Sequence, residues 1–281
     1  MNNEATHPCS SFTAVTRGVL MSLENLHTHT WRCGHASGDV EDYCEAALKR
    51  GFGVLGFSDH TPLPEGRWPR IRMSLNSYPD YIRRVELAKK NFAPLKVYLG
   101  LEGEWDPAFK EFYDNEILKG GHLDYFIGAV HFFPFHGDWL YLEEASSAAH
   151  LAAYAAQAAE TLASGYFNLL AHPDAFLAGY RRWDDNARSC AKDILDAAKA
   201  CGTVLEINGN GYRKRRQRGL RSYEIFYPHK AFWEMAVRRG VPVSISSDAH
   251  APEELDDGLE ACRRLAADLE AKTVTAADML K

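Results

Sequence analysis

The chain has 281 residues, 46% of them hydrophobic and 12% aromatic, which is enough apolar material for one sizeable core and too much for a disordered segment. A net charge of -6, from 32 Lys plus Arg against 38 Asp plus Glu, excludes a general attraction to nucleic acid or to an anionic membrane, so any anionic ligand must be held locally. The six cysteines (Cys9, Cys33, Cys44, Cys190, Cys201 and Cys262) form no CxxC pair and no disulfide-framework spacing, and no apolar stretch approaches the ~20 residues needed to span a bilayer; both points are as expected of a cytoplasmic protein.

Residues 1–20 lack a continuous apolar region and read as a loose N-terminal extension, with residues 21–281 as a single catalytic domain. Leu23 to His27 reads as a strand, Val40 to Arg50 as a helix and Gly53 to Ser58 as the next strand. After a loop containing Pro62, Pro64 and Pro69, the pattern predicts helix Ser77 to Asn91, strand Leu95 to Leu101, helix Phe109 to Lys119 and strand Tyr125 to Val130. The alanine-rich stretch His150 to Ala163 is strongly helical. Strand Phe167 to Ala171, helix Ala187 to Ala200, strand Val204 to Ile207, helix Lys230 to Arg239 and strand Pro242 to Ser246 follow, and the chain from Ala251 onward is mostly helical. Seven strands alternating with helices favour an α/β fold with a closed or nearly closed parallel barrel over an open sheet.

Several of these apolar runs end in a histidine or carboxylate: Leu26-His27-Thr28-His29, Ser58-Asp59-His60, Leu101-Glu102, Val130-His131, Ala171-His172 and Ser247-Asp248-Ala249-His250. In a β/α barrel the carboxyl ends of all strands converge on one mouth, so residues far apart in sequence meet in space. Imidazole with carboxylate and without cysteine suits catalytic zinc, manganese or iron. His27 and His29 lie two apart at a strand end, and alternation points both imidazoles to one side. Glu102 and Glu104 are rivals, because either carboxylate could bridge metals. Cys33 is set aside as a ligand, and His7, His122, His136, His150 and His229 read as ordinary surface or hydrogen-bonded histidines.

His27-Thr28-His29 followed by Cys33-Gly34-His35-Ala36, then Gly56-Phe57-Ser58-Asp59-His60 with Pro62-Leu63-Pro64, resembles the polymerase and histidinol phosphatase (PHP) superfamily. Ile127 to Phe132, and Leu205-Glu206-Ile207-Asn208 with Gly211, Tyr212 and Arg213, are closer to its monofunctional histidinol-phosphate phosphatases than to polymerase-associated PHP domains. The resemblance implies a distorted seven-stranded β/α (TIM-like) barrel of PHP type, holding two or three divalent metal ions (zinc, manganese or iron). It implies the ligands His27, His29, His35, His60, Glu102, His131, His172, Asp248 and His250, with Glu102 preferred over Glu104 because the family's glutamate follows a Gly-x pair, here Gly100-Leu101. Pro173 and Ala175 beside His172, and Asn208-Gly209-Asn210, depart from the family's usual pattern and bear on substrate rather than on chemistry.

The expected activity is hydrolysis of a phosphate monoester, L-histidinol phosphate first, by attack of a metal-bound hydroxide, with Asp248 or His250 orienting the nucleophile and His250 or a water protonating the leaving oxygen. Another small monoester or a nucleotide phosphodiester is the alternative substrate, and a metal-binding module serving a protein partner the non-enzymatic alternative. Arg213 is the expected fork onto phosphate, Arg181 or Arg182 the second choice, and Lys214, Arg215 and Arg216 read as a solvated loop. Asp174 and Glu206 are candidate partners for the amino and imidazole end of histidinol, with Glu206 equally placed to face the barrel core or pair with a structural arginine. The small phosphorylated substrate is the only partner expected, with neither nucleic acid nor membrane; the oligomeric state stays open.

Overall fold

The structure is a computed structural model that describes residues 23–280, so the reading of residues 1–20 as an extension falls outside the described residues. β1 (Leu23–Asn25) leads through a 3-10 turn at Trp31–Cys33 to α1 (Val40–Lys49) and β2 (Phe52–Phe57). α2 (Tyr78–Asn91), β3 (Lys96–Glu104), the short α3 (Lys110–Phe112) and β4 (Tyr125–Ala129) follow, then a hairpin of β5 (Phe132–Phe135) and β6 (Asp138–Tyr141). The second half runs α4 (Ala148–Ala163), β7 (Leu169–Leu170), α5 (Leu177–Tyr180), α6 (Asp185–Cys201), β8 (Val204–Asn208), α7 (Gly209–Gln217), α8 (Lys230–Arg238), β9 (Val243–Ser246), α9 (Leu259–Asp268) and α10 (Ala276–Met279).

Seven strands form one parallel sheet in the order β1-β2-β3-β4-β7-β8-β9. Its two ends approach each other: Thr28 and Ala249 form a parallel bridge, the Asn25 amide donates to Ser247 Oγ at 2.6 Å, and the His29 N–H donates to Ala249 O at 2.9 Å. The result is a nearly closed barrel with helices outside, as the strand and helix rhythm predicts.

Inside the barrel, Leu26, Tyr98, Tyr125, Ile127, Leu169 and Ala171 pack on one another, with Ala276 of α10 at one end. Tyr125 lies across the interior and donates its hydroxyl to Leu26 O (2.6 Å) and Phe57 O (3.1 Å). A Cβ at Gly56 or Gly100 would collide with the Tyr125 side chain, which accounts for glycine in the middle of β2 and β3.

Three elements depart from expectation. The helix predicted over Phe109 to Lys119 is a 3-10 turn, one α turn and a π segment at Tyr113–Ile117, wound so that Tyr113 and Ile117 are buried. Phe132 to Tyr141, where the pattern predicts no strand, is a two-stranded antiparallel hairpin. The basic run after Asn208 is a helix rather than a loop: glycines at its start hide the pattern, but Asn208 Oδ1 caps it by accepting from the Asn210 N–H at 2.9 Å. No helix among the described residues is long and apolar enough to cross a membrane.

Candidate metal centre

The strand ends deliver their polar residues to one mouth, as the barrel geometry requires. His27 and His29 follow β1, His60 follows β2, Glu102 and Glu104 close β3, His131 follows β4, His172 follows β7, and Asp248 and His250 follow β9. His35 reaches the same place from the loop after the first 3-10 turn. His172 and Asp248 take positive φ (30° and 51°), a conformation that side chains other than glycine rarely adopt, and one that aims both inward from the strand ends.

Glu102, 1% exposed, sits at the centre. Its Oε2 lies 3.3 Å from His27 Nε2, 3.5 Å from His29 Nε2 and 3.0 Å from His60 Nδ1. Its Oε1 lies 3.2 Å from His172 Nε2 and 3.6 Å from His131 Nε2. Asp248 Oδ1 adds distances of 3.6 Å to His27 and 3.2 Å to His29. Donor atoms sharing one ion at about 2.1 Å stand roughly 3.0–3.4 Å apart, the edges of an octahedron or tetrahedron, so these spacings are those of a common coordination shell.

The residues present fit divalent cations on a second ground. His27 Nε2, His29 Nε2, His60 Nδ1, Glu102 Oε2 and Asp248 Oδ1 are all buried with no hydrogen-bond partner, although buried polar atoms are normally paired. His35 and His250 give a sharper case. His35 Nδ1 must donate to Cys33 O (3.1 Å) and His250 Nδ1 to Asp248 O (3.0 Å), since carbonyls only accept, so the two Nε2 lone pairs face each other at 2.9 Å. A cation between or beside them removes that repulsion. The ligand-capable atoms group as His27, His29 and Asp248; His29, His60 and His250; and His60, Glu102 and His131, and two further groups include the thiol of Cys33, one with His35 and His250 and one with His29 and Asp59.

A second ring of groups fixes the imidazoles. Glu206 Oε1 accepts from His27 Nδ1 at 2.8 Å, and its Oε2 accepts from the His172 N–H (3.3 Å) and the Asn208 amide (2.8 Å). Glu104 Oε1 accepts from His131 Nδ1 at 2.7 Å and from Arg72 Nη2 at 2.8 Å. Each carboxylate holds its histidine in the Nδ1–H tautomer with Nε2 free for a metal. The rivalry between Glu102 and Glu104 therefore resolves in position: Glu102 lies among the imidazoles and Glu104 behind one of them. Asp59 accepts from the Thr30 N–H (2.8 Å) and hydroxyl (2.6 Å), tying the ends of β1 and β2 together.

Electrostatics follow the same plan. Burial works against ionisation of Glu102 and Asp248, yet the surrounding imidazoles outweigh it and hold both carboxyls well below the usual range. Burial, reinforced by the neighbouring His29 imidazole, pushes His60 and His250 well below their ordinary value, which favours the neutral form that ligation requires. Burial raises the thiol of Cys33, which adjoins the cluster as a protonated group.

A cavity of about 230 Å³ opens over the cluster, with His35, His60, His131, His172, Asp248 and His250 on its floor. Its walls are Leu142, Ala175, Tyr227 and Glu254, with Asn210, Arg213, Lys214 and Gln217 from α7. Arg213 reaches the cavity as expected, but its guanidinium donates to Asp248 O (2.6 Å) and Ser247 O (3.5 Å) and pairs with Glu254 (3.2 Å). Three expected substrate contacts are not brought to it. Arg181 donates to Ala178 O and lies over the Phe226 ring, while Arg182 donates to Ser146 O and lies over Tyr180, because the α5 turn directs both away. Asp174 is fully buried and accepts from the His229 N–H (2.7 Å) and Trp233 Nε1 (3.1 Å), so it serves the start of α8; burial pushes its carboxyl up to about 7. Of the alternatives left open for Glu206, the structure has the inward-facing one: it is fully buried, and its partner is His27 rather than an arginine. Tyr227, Glu254, Gln217 and the role of Arg72 went unread; for Gln217 a helical period from Asn210 was the available signal.

Comparison with known proteins agrees with this fold. The PHP domain family matches residues 25–210. A Deinococcus radiodurans protein named "Probable histidinol-phosphatase" is 31% identical over 245 residues, covering 84% of this chain and 89% of that protein. The Bacillus subtilis histidinol-phosphatase is 25% identical over 272 residues, covering 86% and 98%. The crystal structure of histidinol phosphate phosphatase from Lactococcus lactis, complexed with zinc, L-histidinol and phosphate, superposes with a TM-score of 0.66 at 17% identity, covering 89% of this chain and 95% of that one, a likeness of fold.

Proposed function

The chain belongs to the PHP domain family, and from that premise we propose that it is a metal-dependent phosphomonoesterase that hydrolyses L-histidinol phosphate to histidinol and phosphate, a step of histidine biosynthesis. The observation that carries this reading is the set of buried, unpartnered nitrogen and oxygen atoms gathered around Glu102 beneath an open cavity. The names of the relatives supply the substrate. In this reading His27, His29, His35, His60, Glu102, His131, His172, Asp248 and His250 hold two or three ions of zinc, manganese or iron. When bound, such ions polarise phosphoryl oxygens, bring the pKa of a water towards neutrality and neutralise charge on the leaving alkoxide.

The chain's own residues do the rest. Glu206 and Glu104 keep the protons of His27 and His131 on Nδ1, away from the cluster. Asp248, steadied at Oδ2 by the amides of Asn208 (3.2 Å) and Asn210 (3.0 Å), turns Oδ1 inward to orient the attacking water. His250 has one ring nitrogen free of the backbone, Nε2, and with the proton held on Nδ1 that nitrogen presents a lone pair that can join His35 on a metal, which leaves a water to protonate the leaving oxygen. Arg213 lines the cavity and is the proposed contact to phosphate. The five described cysteines are all free thiols, which supports a cytoplasmic location for this activity.

The test is turnover of L-histidinol phosphate beside other phosphomonoesters and a phosphodiester. Marked preference for the first supports the reading. Preference for another ester keeps the phosphatase and removes the pathway, and no turnover of any ester by metal-loaded protein leaves a metal-binding module.

A further inference from the structure

Helix α7 brings four residues to the cavity, Asn210, Arg213, Lys214 and Gln217, at the three- and four-residue spacings of a single helical face. The cations on and just after this helix are almost all committed. Arg213 is held by two carbonyls and Glu254. Arg215 donates to the carbonyls of Arg221 (2.8 Å) and Glu224 (2.9 Å), Arg216 to Asp257 (2.5 Å) and Arg218 to Glu143 (2.6 Å). Lys214 is the exception: among the described residues no hydrogen bond or ion pair holds its ammonium, and it sits half-buried at the cavity wall, where α7 approaches Tyr141 of β6. A lysine in the last turn also suits the helix dipole, but Arg215 and Arg216 already occupy that turn.

On the reading of the site as a phosphatase, we propose that Lys214 is a substrate-binding residue that takes the outward-facing phosphoryl oxygens and favours phosphate monoesters over diesters. The metal cluster neutralises the inner oxygens. A monoester near neutral pH carries close to two negative charges, its second pKa being about 6, whereas a diester carries one, so an outer oxygen of the monoester still needs a cation. Arg213 is pinned in a fixed place, while Lys214 offers three donors on a flexible four-carbon stem that can follow the phosphoryl group. Among the described residues, the one cavity-wall carboxylate outside the metal cluster that could compete for its ammonium, Glu254, is already paired with Arg213.

The experiment uses the full-length, metal-loaded protein as wild type, Lys214→Gln, Lys214→Arg and Arg216→Gln, the last removing the same charge from the same helix outside the cavity. Inorganic phosphate is titrated by calorimetry, which needs no turnover, and KM and kcat are measured for a monoester and a diester, with metal content checked for each protein. Lys214→Gln should weaken phosphate binding and raise the monoester KM by about tenfold, the loss of one charge-assisted contact, with much smaller changes in kcat and in diester KM. Lys214→Arg should restore most of the affinity, and Arg216→Gln should behave as wild type. Phosphate affinity in Lys214→Gln within about twofold of wild type, an equal loss in Arg216→Gln, or wild type that binds no phosphate would each overturn the proposal. If no ester is turned over, the phosphatase reading fails separately, and the calorimetry still decides the role of Lys214.

Discussion

Replacing Glu206 by glutamine is nearly isosteric and removes one charge, and the geometry makes it costly in either orientation. Glu206 faces three donors: His27 Nδ1–H at 2.8 Å on one oxygen, and the His172 N–H at 3.3 Å with the Asn208 amide at 2.8 Å on the other. If the new carbonyl faces His27, the new NH2 faces two donors and leaves them unpaired in a fully buried place, at a cost of about 1–3 kcal/mol each. If the NH2 faces His27, the imidazole must carry its proton on Nε2, the atom aimed at the cluster, and the site loses a ligand. Asn208 cannot turn to help, because its Oδ1 caps α7 and its Nδ2 also reaches Asp248. The expected outcome is a loss of metal affinity of roughly 10- to 100-fold, or about 1.4–2.7 kcal/mol, with a lower Tm of the metal-free protein. Competition with a chelator of known affinity, alongside thermal unfolding by circular dichroism, measures both. Wild-type metal affinity and an unchanged Tm would refute the assignment of Glu206 as the group that sets the His27 tautomer.

The other predictions are shorter. Arg72→Met leaves the buried Glu104 with His131 as its one side-chain partner among the described residues, so urea unfolding of the metal-free protein should show a loss of about 3 kcal/mol or more, and less than 1 kcal/mol would contradict a structural role for the Arg72–Glu104 pair. Stripping the metals should lower Tm by roughly 9–14 °C for two or three ions, since an ion at a hundred times its Kd adds about 2.7 kcal/mol per site, or about 5 °C in a chain of this size. Arg32, 1% exposed, bridges Asp39 (2.5 Å) and Asp80 (2.6 Å). Burial opposes ionisation of Asp39, but Arg32 and the Val40 N–H outweigh it, and Arg32 likewise holds Asp80 below the usual carboxylate value. A depressed folded pKa gives stability that is present above the ordinary carboxylate pKa and lost as pH falls, so Arg32→Met should cost about 1–2 kcal/mol at pH 7, discounted for the exposure of both carboxylates, and the gap from wild type should close below about pH 4.

Position along the chain made much of this protein legible. Each of the seven barrel strands lies where short branched apolar runs predict it, because a strand buried on both faces leaves a continuous signature. Eight of the nine residues named as ligands meet at one mouth because they stand at or just after the ends of barrel strands, and the residue types at those ends were visible in the sequence; His35 comes from a loop, and the full set was named from the family resemblance rather than from periodicity. What lies behind them was not legible. Glu206 and Glu104 differ from Glu102 only in which way a strand residue points and which neighbour it meets, and Asp174 was misplaced because nothing local shows that its carboxyl turns towards α8. The basic run was misread because Gly209 and Gly211 are poor helix formers; they are required where Gly209 packs against the Asp257 carbonyl and Gly211 against Tyr227 and Pro228, closer than a Cβ allows. Once the run is a helix, its face selects Lys214 for the cavity and leaves Arg216 outside it, a distinction that loop reading cannot make.

Stepwise reloading of metal-stripped protein, with turnover of L-histidinol phosphate followed against metal bound per chain, bears most directly on the central claim. Turnover should be absent in the stripped protein, rise with bound metal, and stay absent in a folded His27→Ala, His29→Ala double variant that retains less metal. Full activity without metal, or full metal content and activity in the double variant, would contradict the assignment of this cluster as the catalytic centre.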